Sequence, residues 1–373
     1  MAGVDKKICE CYNFIMKEKN EPYRKDVAFI DREKELAFLK GRLNERPESI
    51  LFIHGPKSSG KTTLLYKFLE QIQREQKVDV KFMDLRKTFT NVYEDFLKAF
   101  FQVESSGEKK ESRTSNINIG FFKIDASVEK KIMEKRADPF KVMEAELLDL
   151  THKGIKPILI IDELQALDKI YLDNDKDRQL ITALFNFFVA MTKQAHLAHI
   201  IIASSDGYFI DRVYTDSRLK KTSTFYKVDY LDKQDVMEWL LNLEKYSKIK
   251  DYTLTETDAE KIWETVGGSM WEIQDMLSLL FQQPIDKVVA LYKERMRSII
   301  VDYIVRPERK EIEKLLRLFL DRDELSKEDV TSDEEILLRD MVRQNILYFD
   351  PTKAKYYPQG KSYHMGIREY FKK

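Results

Sequence analysis

Nine consecutive residues of this chain have the composition of a loop that binds phosphate groups. They read G-P-K-S-S-G-K-T-T and comprise, in order, Gly55, Pro56, Lys57, Ser58, Ser59, Gly60, Lys61, Thr62 and Thr63. The glycines let the backbone curl, so that successive N–H groups point inward at a β-phosphate. At this spacing Lys61 reaches the β- and γ-phosphates, and the Thr62 hydroxyl is placed to ligate Mg²⁺. The P-loop pattern therefore predicts a site for a nucleoside triphosphate with magnesium.

A second segment supplies the carboxylates that such a site needs. The apolar run 155–161 ends in Asp162 and Glu163, which is the Walker B pattern of a buried strand that ends beside a P-loop. Asp162 can hold Mg²⁺ through water, and Glu163 can polarise the attacking water. Because Asp-Glu after an apolar run is common by itself, the prediction depends on its distance downstream of the P-loop, with strands and helices between.

Polar side chains also follow the next apolar segment, 199–203, which continues into Ser204 and Ser205. A polar group at this strand end would lie near the γ-phosphate. We therefore assign a sensor role to Ser204, with Ser205 as the alternative. A simple exit from strand to loop would also explain these serines.

The elements around the P-loop match what the motif requires. Residues 49–54 read as a buried parallel strand, and residues 61–76 read as an amphipathic helix. The positive end of that helix dipole faces the phosphates. A chance glycine turn would lack this strand, loop and helix order. Downstream, residues 78–85 alternate like a strand, and residues 91–103 are predicted to be a helix with Val92 facing inward.

Composition restricts the class of protein. At 373 residues the chain predicts two or three domains, and its 64 basic and 64 acidic side chains balance. No global cationic field therefore argues for nucleic acid. Cys9 and Cys11 are the only cysteines, too few for a structural zinc, which favours reduced thiols. No stretch approaches 18 uninterrupted apolar residues, so we expect a soluble cytoplasmic protein.

The second half of the chain predicts two helical modules. Helices are expected from about 176 to 192, within 233–282 and over 285–304, with Pro284 as a boundary. Helices at 308–321 and 332–344, strands at 345–350 and 355–358, and a final helix at 366–373 indicate a winged helix. The predicted domains are a lead-in at 1–28, a P-loop ATPase core at 29–227, a helical lid at 228–283 and a winged-helix domain at 284–373.

These motifs together resemble the archaeal ATPase family, a branch of the AAA+/STAND P-loop proteins that is similar to the origin-recognition initiator ATPases. The resemblance covers the chain from about residue 28 to its end. Its segments are F-I-D-R-E-K-E-L at 29–36, D-L-R at 84–86, I-I-D-E-L-Q at 160–165 and Gly267-Gly268. It implies an α/β fold, an AAA+-like P-loop NTPase with a parallel sheet core, a helical lid and a C-terminal winged helix. It also implies ATP and Mg²⁺ as cofactors.

One departure from the family concerns arginines. AAA+ proteins often carry a sensor arginine after the lid glycines, whereas this chain has Ser269-Met270-Trp271-Glu272 there. Arg218 stands where the family has an arginine after the fourth core strand, so the resemblance makes it a candidate arginine finger. Arg212 is the rival, and an ordinary surface salt bridge is the alternative for both.

Three functions follow from this reading. The first is a slow molecular-switch ATPase in which the winged helix is the output module and docks on a protein partner. The second is an initiator-like ATPase that binds duplex DNA through the winged helix. Residues 339–373 carry eight basic and three acidic side chains, whereas 321–335 holds eight carboxylates that phosphate would repel. A small-molecule kinase, the third, gives the lid and winged helix no role.

Overall fold

The computed structural model of the chain describes residues 29–75, 77–88, 90–103, 117–119, 122–172, 178–247, 249 and 252–372. The expected lead-in, with its two cysteines, lies outside these residues, as does most of the polar stretch 104–118. No helix within the described ranges combines the length and apolar character needed to cross a membrane.

A parallel sheet forms the core, as the sequence predicts. The first eight strands are β1 (Ile50–His54), β2 (Val78–Asp84), β3 (Phe101–Val103), β4 (Ile117–Ile119), β5 (Phe122–Ile124), β6 (Lys156–Asp162), β7 (His199–Ser204) and β8 (Ser223–Lys227). Six of them pair in parallel in the order β4-β2-β6-β7-β1-β8, and β3 pairs separately with β5. Neighbours in the sheet are distant in sequence, so helices connect them across both faces.

In the described part of the chain, this sheet is flanked by the helices α1 (Glu33–Asn44), α2 (Lys61–Glu75), α3 (Tyr93–Phe100), α4 (Ala126–Met133), α5 (Pro139–His152), α6 (Leu180–Val189) and α7 (Gly207–Thr215). Two apolar clusters lie on opposite faces of the sheet. Ile50 and Phe52 belong to one, whereas Leu51 and Ile53 belong to the other. Both faces of β1 are thus buried, which explains why its sequence is continuously apolar rather than alternating.

The lid contains α8 (Lys233–Leu241), α9 (Leu243–Tyr246), α10 (Glu256–Val266), α11 (Met270–Leu280) and the first half of α12 (Ile285–Ile304). The winged helix follows with α13 (Arg309–Arg317), β9 (Leu325–Ser326), α14 (Ser332–Arg343), β10 (Leu347–Asp350), β11 (Lys355–Pro358) and α15 (Lys361–Phe371). Its strands pair antiparallel in the order β10-β11-β9. The predicted hairpin is present, and the two-residue strand β9 completes a sheet that the sequence did not indicate.

The long helix α12 belongs to two cores at once. Val288 and Tyr292 lie in the apolar cluster of the lid, whereas Ile300 and Ile304 lie in that of the winged helix. Helix α15 packs closely along α12, because a Cβ at Gly366 would stand 2.8 Å from the Met296 carbonyl oxygen. The lid and the winged helix are therefore joined by a continuous packed helix pair.

Several predicted helix boundaries are wrong, and the helix predicted at 308–321 ends at Arg317. Helix α3 ends at Phe100, and residues 101–103 form β3 instead, since a short apolar run fits a strand as well as a helix. Val92, predicted to face inward, is 51% exposed. Helix α15 begins at Lys361 rather than 366, because the glycine at 366 serves close packing and not a helix start. Helix α6 begins at Leu180, and residues 173–177 lie outside the described ranges.

Candidate nucleotide-binding site

The ends of four neighbouring strands meet at one edge of the sheet. The strand register sets Asp84 beside Asp162, and it sets Asp162 beside Ala203. On the next strand pair, His54 stands beside Ser204. The P-loop, the two Walker B carboxylates and the serines at the end of β7 therefore lie at the carboxyl edge of the sheet, where open α/β sheets bind ligands.

The P-loop has the curled backbone that its sequence predicts. Gly55 passes so close to Val228, the residue after β8, that a Cβ there would stand 2.0 Å from the Val228 carbonyl oxygen. Ser58 and Gly60 adopt left-handed φ angles of 62° and 87°. Such turns orient backbone N–H groups toward one side, where they can bind an anion.

Lys61 lies inside this loop rather than in solvent. Its ammonium donates to the carbonyl oxygens of Gly55 at 3.0 Å and Pro56 at 2.8 Å, and to the Ser59 hydroxyl at 3.3 Å. Only 5% of the residue is exposed. Burial lowers the pKa of Lys61 to about 7, although the Asp162 carboxylate opposes that shift. A bound phosphate would favour the charged ammonium.

Thr62 and Asp162 form the pair that could hold Mg²⁺. The Thr62 hydroxyl donates to Oδ2 of Asp162 at 2.6 Å. Within the described part of the chain, the other carboxylate oxygen, Oδ1, is buried and has no hydrogen-bond donor. Burial raises the pKa of Asp162, which a cation would reverse. A hydroxyl and a carboxylate are hard oxygen ligands, so these residues fit Mg²⁺.

Glu163 is held in a strained position by several donors. Its φ angle is 64°, which is uncommon outside glycine and often marks functional sites. One carboxylate oxygen accepts from the Arg86 guanidinium and from the Ser205 hydroxyl, the latter at 2.9 Å. The other accepts from the Gln165 amide. Both oxygens of this carboxylate, at the sheet edge where phosphate is expected, thus already accept hydrogen bonds.

The two candidate sensor serines have different surroundings. Ser204 is fully buried, and its hydroxyl donates to the Gln165 side-chain oxygen at 3.0 Å and accepts from the Asp206 N–H. Ser205 instead contacts Glu163 and Arg86. Ser204 therefore contacts Gln165, which in turn contacts the Glu163 carboxylate, whereas Ser205 contacts that carboxylate directly.

Both candidate finger arginines lie on the surface in ion pairs. Arg218 binds both oxygens of Asp216, at 3.0 and 2.5 Å, and its hydrogen bonds lower the pKa of that carboxyl. Arg212 pairs with Asp168. Their side chains are 51% and 43% exposed. The surface salt bridge weighed as the alternative is thus present, while the exposure leaves both guanidinium groups accessible to a neighbouring molecule.

Sequence reasoning missed a buried arginine at the P-loop. Arg32 is 6% exposed and has a left-handed φ of 78° at the start of α1. Its guanidinium donates to the carbonyl oxygens of Ser59 at 2.9 Å and Asp229 at 2.6 Å, and it pairs with Glu35. Arg32 therefore ties the P-loop to the segment that leads into the lid. The sequence did offer a signal for this arginine, because Arg32 belongs to the F-x-x-R-E-x-E-L box.

The winged helix also contacts the P-loop. With its amide oriented by its partners, the Gln359 side chain accepts from the Lys57 N–H at 2.7 Å and donates to the Leu347 carbonyl at 3.2 Å. Tyr230, in the segment before the lid, donates its hydroxyl to the Lys57 carbonyl at 2.9 Å. Its ring lies against Gly360. The winged helix thus binds the N–H of Lys57, and the segment that leads into the lid binds its carbonyl oxygen.

Strand β10 extends this contact along the ATPase core. The Tyr348 hydroxyl is 2.8 Å from Nδ1 of His54, the residue that precedes the P-loop. Asp350 is fully buried, with its carboxylate 3.6 Å from the Lys227 ammonium. Burial lowers the pKa of His54 to about 4, so this imidazole is neutral near pH 7. Nucleotide site and winged helix therefore share a buried polar interface.

Comparison with known proteins gives the same family that the motifs suggest. A family model described as an ATPase domain predominantly from Archaea matches residues 29–276. The chain is 31% identical over 357 residues to an uncharacterized ATP-binding protein of Methanocaldococcus jannaschii, covering 89% of this chain and 97% of that one. It is 33% identical over 339 residues to an uncharacterized ATP-binding protein of Pyrococcus abyssi, covering 89% and 94%.

Solved structures are similar at a lower level. The ADP form of the Aeropyrum pernix ORC2 protein has a TM-score of 0.48 at 12% identity, and the match covers 94% of each chain. The Cdc6p structure from Pyrobaculum aerophilum has a TM-score of 0.42 at 12% identity, and the match covers 96% of this chain and 97% of that one.

Proposed function

Because this chain belongs to the family of ATPase domains found predominantly in Archaea, we propose that it is a nucleotide-dependent molecular switch. ATP would control whether the winged helix stays docked on the P-loop core. Release of the winged helix would expose it to a partner. ATP would act through a feature of this chain, the contact between its nucleotide site and its C-terminal module.

The observation that carries the proposal is the docking of β10 and Gln359 on the P-loop. Gln359 binds the Lys57 N–H within the loop that would receive phosphates, and Tyr348 binds His54, the residue directly before that loop. A movement of the loop backbone on nucleotide binding would change the Gln359 contact directly and would act on the Tyr348 contact through the adjoining residue His54. A ligand shifts such an equilibrium when it binds one arrangement better than the other. The P-loop contact supplies that difference.

The hydrolytic step would end the ATP-bound state. Glu163 would accept a proton from a water whose oxygen attacks the γ-phosphorus, while the bond to the β–γ bridging oxygen breaks and ADP leaves with phosphate.

Lys61 would bind the β- and γ-phosphates, and Thr63, at the start of α2, would bring its N–H to them. Thr62 and Asp162 would hold Mg²⁺, which when bound neutralises phosphate charge. Ser204 would orient Gln165 behind Glu163.

The docking contact should affect amide hydrogen exchange in the hairpin of the winged helix. We expect Gln359→Ala to raise the opening equilibrium of the hairpin about fivefold, because a buried hydrogen bond of about 1 kcal/mol is lost. Amide hydrogen exchange over β10 and β11 measures this opening. In the parent chain, ATP should raise the same exchange and ADP should raise it less.

Gln344→Ala is the matched control, since Gln344 is an exposed amide at the end of α14 in the same module. It should leave exchange of the hairpin unchanged. Equal hairpin exchange with ATP, with ADP and without nucleotide would contradict the switch.

Duplex DNA is the second candidate partner, because residues 339–373 have an excess of basic side chains. Four of those side chains are paired with carboxylates: Arg339, Lys355, Lys361 and Lys372. Helix α14 also faces the ATPase core, where Arg339 pairs with Asp211 and Arg343 lies over the Tyr208 ring. These contacts favour the protein switch over DNA binding. Salt-dependent retention on duplex DNA, compared with and without ATP, separates the two.

Arg218 remains our candidate for an arginine finger that acts on a neighbouring chain. If it does, ATPase activity should rise faster than linearly with protein concentration, and Arg218→Ala should remove that rise without weakening ATP binding. Arg212→Ala is the matched comparison, because Arg212 is also exposed and its charge also acts on Asp216. Strictly proportional activity, with a monomer in sedimentation, would exclude both fingers and leave a slow monomeric switch.

A further inference from the structure

A histidine lies inside the interface between the ATPase core and the winged helix. His54 is the last residue of β1, and only 1% of it is exposed. Its Nδ1 is 2.8 Å from the hydroxyl of Tyr348, a buried residue of β10. Because β10 belongs to the winged helix, release of that module would bring the imidazole into contact with water.

One nitrogen of this imidazole has no hydrogen bond. Within the part of the chain that the structure describes, Nε2 of His54 is buried and has no partner. A neutral imidazole has one donor and one acceptor, whereas a charged one has two donors. If the Tyr348 hydroxyl donates to Nδ1, an added proton displaces it. If Nδ1–H donates to that hydroxyl, the added proton enters at Nε2, where the described residues offer no acceptor.

The surroundings of His54 also disfavour a charge on the ring. Burial is the main reason that the pKa of His54 falls from 6.5 to about 4, and the ammonium groups of Lys227 and Lys61 contribute to this decrease. The carboxylates of Asp350 and Asp229 act in the opposite direction and are outweighed. The docked chain therefore keeps this imidazole neutral at pH values where a solvated histidine becomes charged.

Asp350, the carboxylate that most favours a proton on His54, has other partners. Its Oδ1 accepts from the Thr352 hydroxyl at 2.7 Å and from the Thr352 N–H at 3.1 Å. Its Oδ2 is 3.6 Å from the Lys227 ammonium. Although burial opposes them, these groups and His54 lower the pKa of Asp350. Of this pair, His54 is therefore the group that titrates between about pH 4 and 6.5.

We propose that His54 makes docking of the winged helix sensitive to pH, and that a proton taken up by its imidazole releases the module. In the released chain the imidazole meets water, and its pKa returns toward the ordinary 6.5. Below that pH the released form binds a proton that the docked form does not. Docking thus weakens as the pH falls from about 6.5 toward 4 and is independent of His54 above that range. This pH sensitivity rests on the proposed switch and gives it a second input that requires no nucleotide.

The test follows the protection of β10 and β11 amides against hydrogen exchange in the nucleotide-free chain. Protection is expressed relative to the exchange of an unfolded peptide at the same pH, which removes the chemical effect of pH on exchange. Lowering the pH from 7.5 to 5.5 should raise the opening equilibrium of the hairpin about tenfold, because 5.5 is one unit below the ordinary pKa of 6.5. Amides of β6, in the middle of the sheet, should stay more protected at both pH values.

His54→Asn separates the titration from the hydrogen bond. The asparagine amide can take the place of Nδ1 and accept from the Tyr348 hydroxyl, but it does not titrate. Protection of the hairpin should then be equal at pH 7.5 and 5.5. His199→Asn is the matched control, because burial also lowers the pKa of His199 to about 4, but this residue starts β7 at the opposite edge of the sheet. It should retain the tenfold effect.

A second measurement uses the parent chain alone. Magnetic resonance of the imidazole groups between pH 4 and 7.5 should show a neutral His54 while the hairpin is protected and a charged one where that protection is lost. Titration of His54 near pH 6.5 in a fully protected chain would overturn the proposal. A pH effect that survives in His54→Asn, or that opens β6 together with the hairpin, would also overturn it. The switch itself is judged separately, by the nucleotide dependence of hairpin exchange at pH 7.5.

Discussion

Lys61→Ala should remove most of the affinity of the chain for nucleotide. The ammonium is buried among the P-loop oxygens, where it meets Gly55, Pro56 and Ser59. Removing one partner of a buried charge pair weakens binding by about 2–5 kcal/mol, or roughly 30- to 5,000-fold in Kd. The carbonyl oxygens of the loop would then also face the phosphates without a cation between them. Isothermal calorimetry with ADP and with an ATP analogue measures the loss.

The matched control is Lys57→Ala in the same loop. The Lys57 side chain is exposed, while its backbone N–H and carbonyl carry the contacts to Gln359 and Tyr230. Truncating the side chain keeps those contacts, so the Kd should stay within about twofold of the parent value. Unchanged nucleotide binding by the Lys61 variant would remove the P-loop assignment altogether.

Glu163→Gln should leave ATP bound and almost unhydrolysed. The amide is nearly isosteric with the carboxylate, but it cannot take a proton from water. Loss of a general base reduces the rate on the order of 10²- to 10⁴-fold. Single-turnover measurements of ATP cleavage by acid quench, with the protein in excess over ATP and with magnesium present, report the chemical step without the contribution of product release.

Glu94→Gln is the control for this substitution, because Glu94 is an exposed glutamate in the first turn of α3. It should hydrolyse ATP at the parent rate. If the Glu163 variant also does so, another group is the base, and the engaged carboxylate described above is a structural element of the Walker B turn.

Much of the site could be predicted because it depends on local sequence. The P-loop follows from glycine and lysine spacing, and Asp162 and Glu163 follow from a continuously apolar strand that ends in two carboxylates. The expectation that these segments meet at one edge needs only the rule that parallel strands bring their carboxyl ends together. The roles of the individual residues stay predictions until the variants above are measured.

The contacts of Arg86, Gln165 and Gln359 could not be predicted, because each joins segments that are distant in the chain or turns a side chain in a direction that spacing does not specify. Arg86 and Glu163 are 77 residues apart, and Gln359 meets a backbone N–H rather than a recognisable side chain. A hydrogen bond to a backbone amide leaves no pattern in the sequence of its partner. The short strands β3 and β9 were missed for a related reason, since tertiary pairing defines them.

The helix that the lid and the winged helix share would convert a small rotation at one of its ends into a larger displacement at the other. Helix α12 has 20 residues, which makes it about 30 Å long. A rotation of the lid by roughly 10° about one end would carry the other end by about 5 Å, given that length. A hydrogen bond is lost over much less than this. Small rearrangements around a nucleotide would thus be amplified at the Gln359 contact, and a substitution that bent α12 would uncouple hydrolysis from output without touching either site.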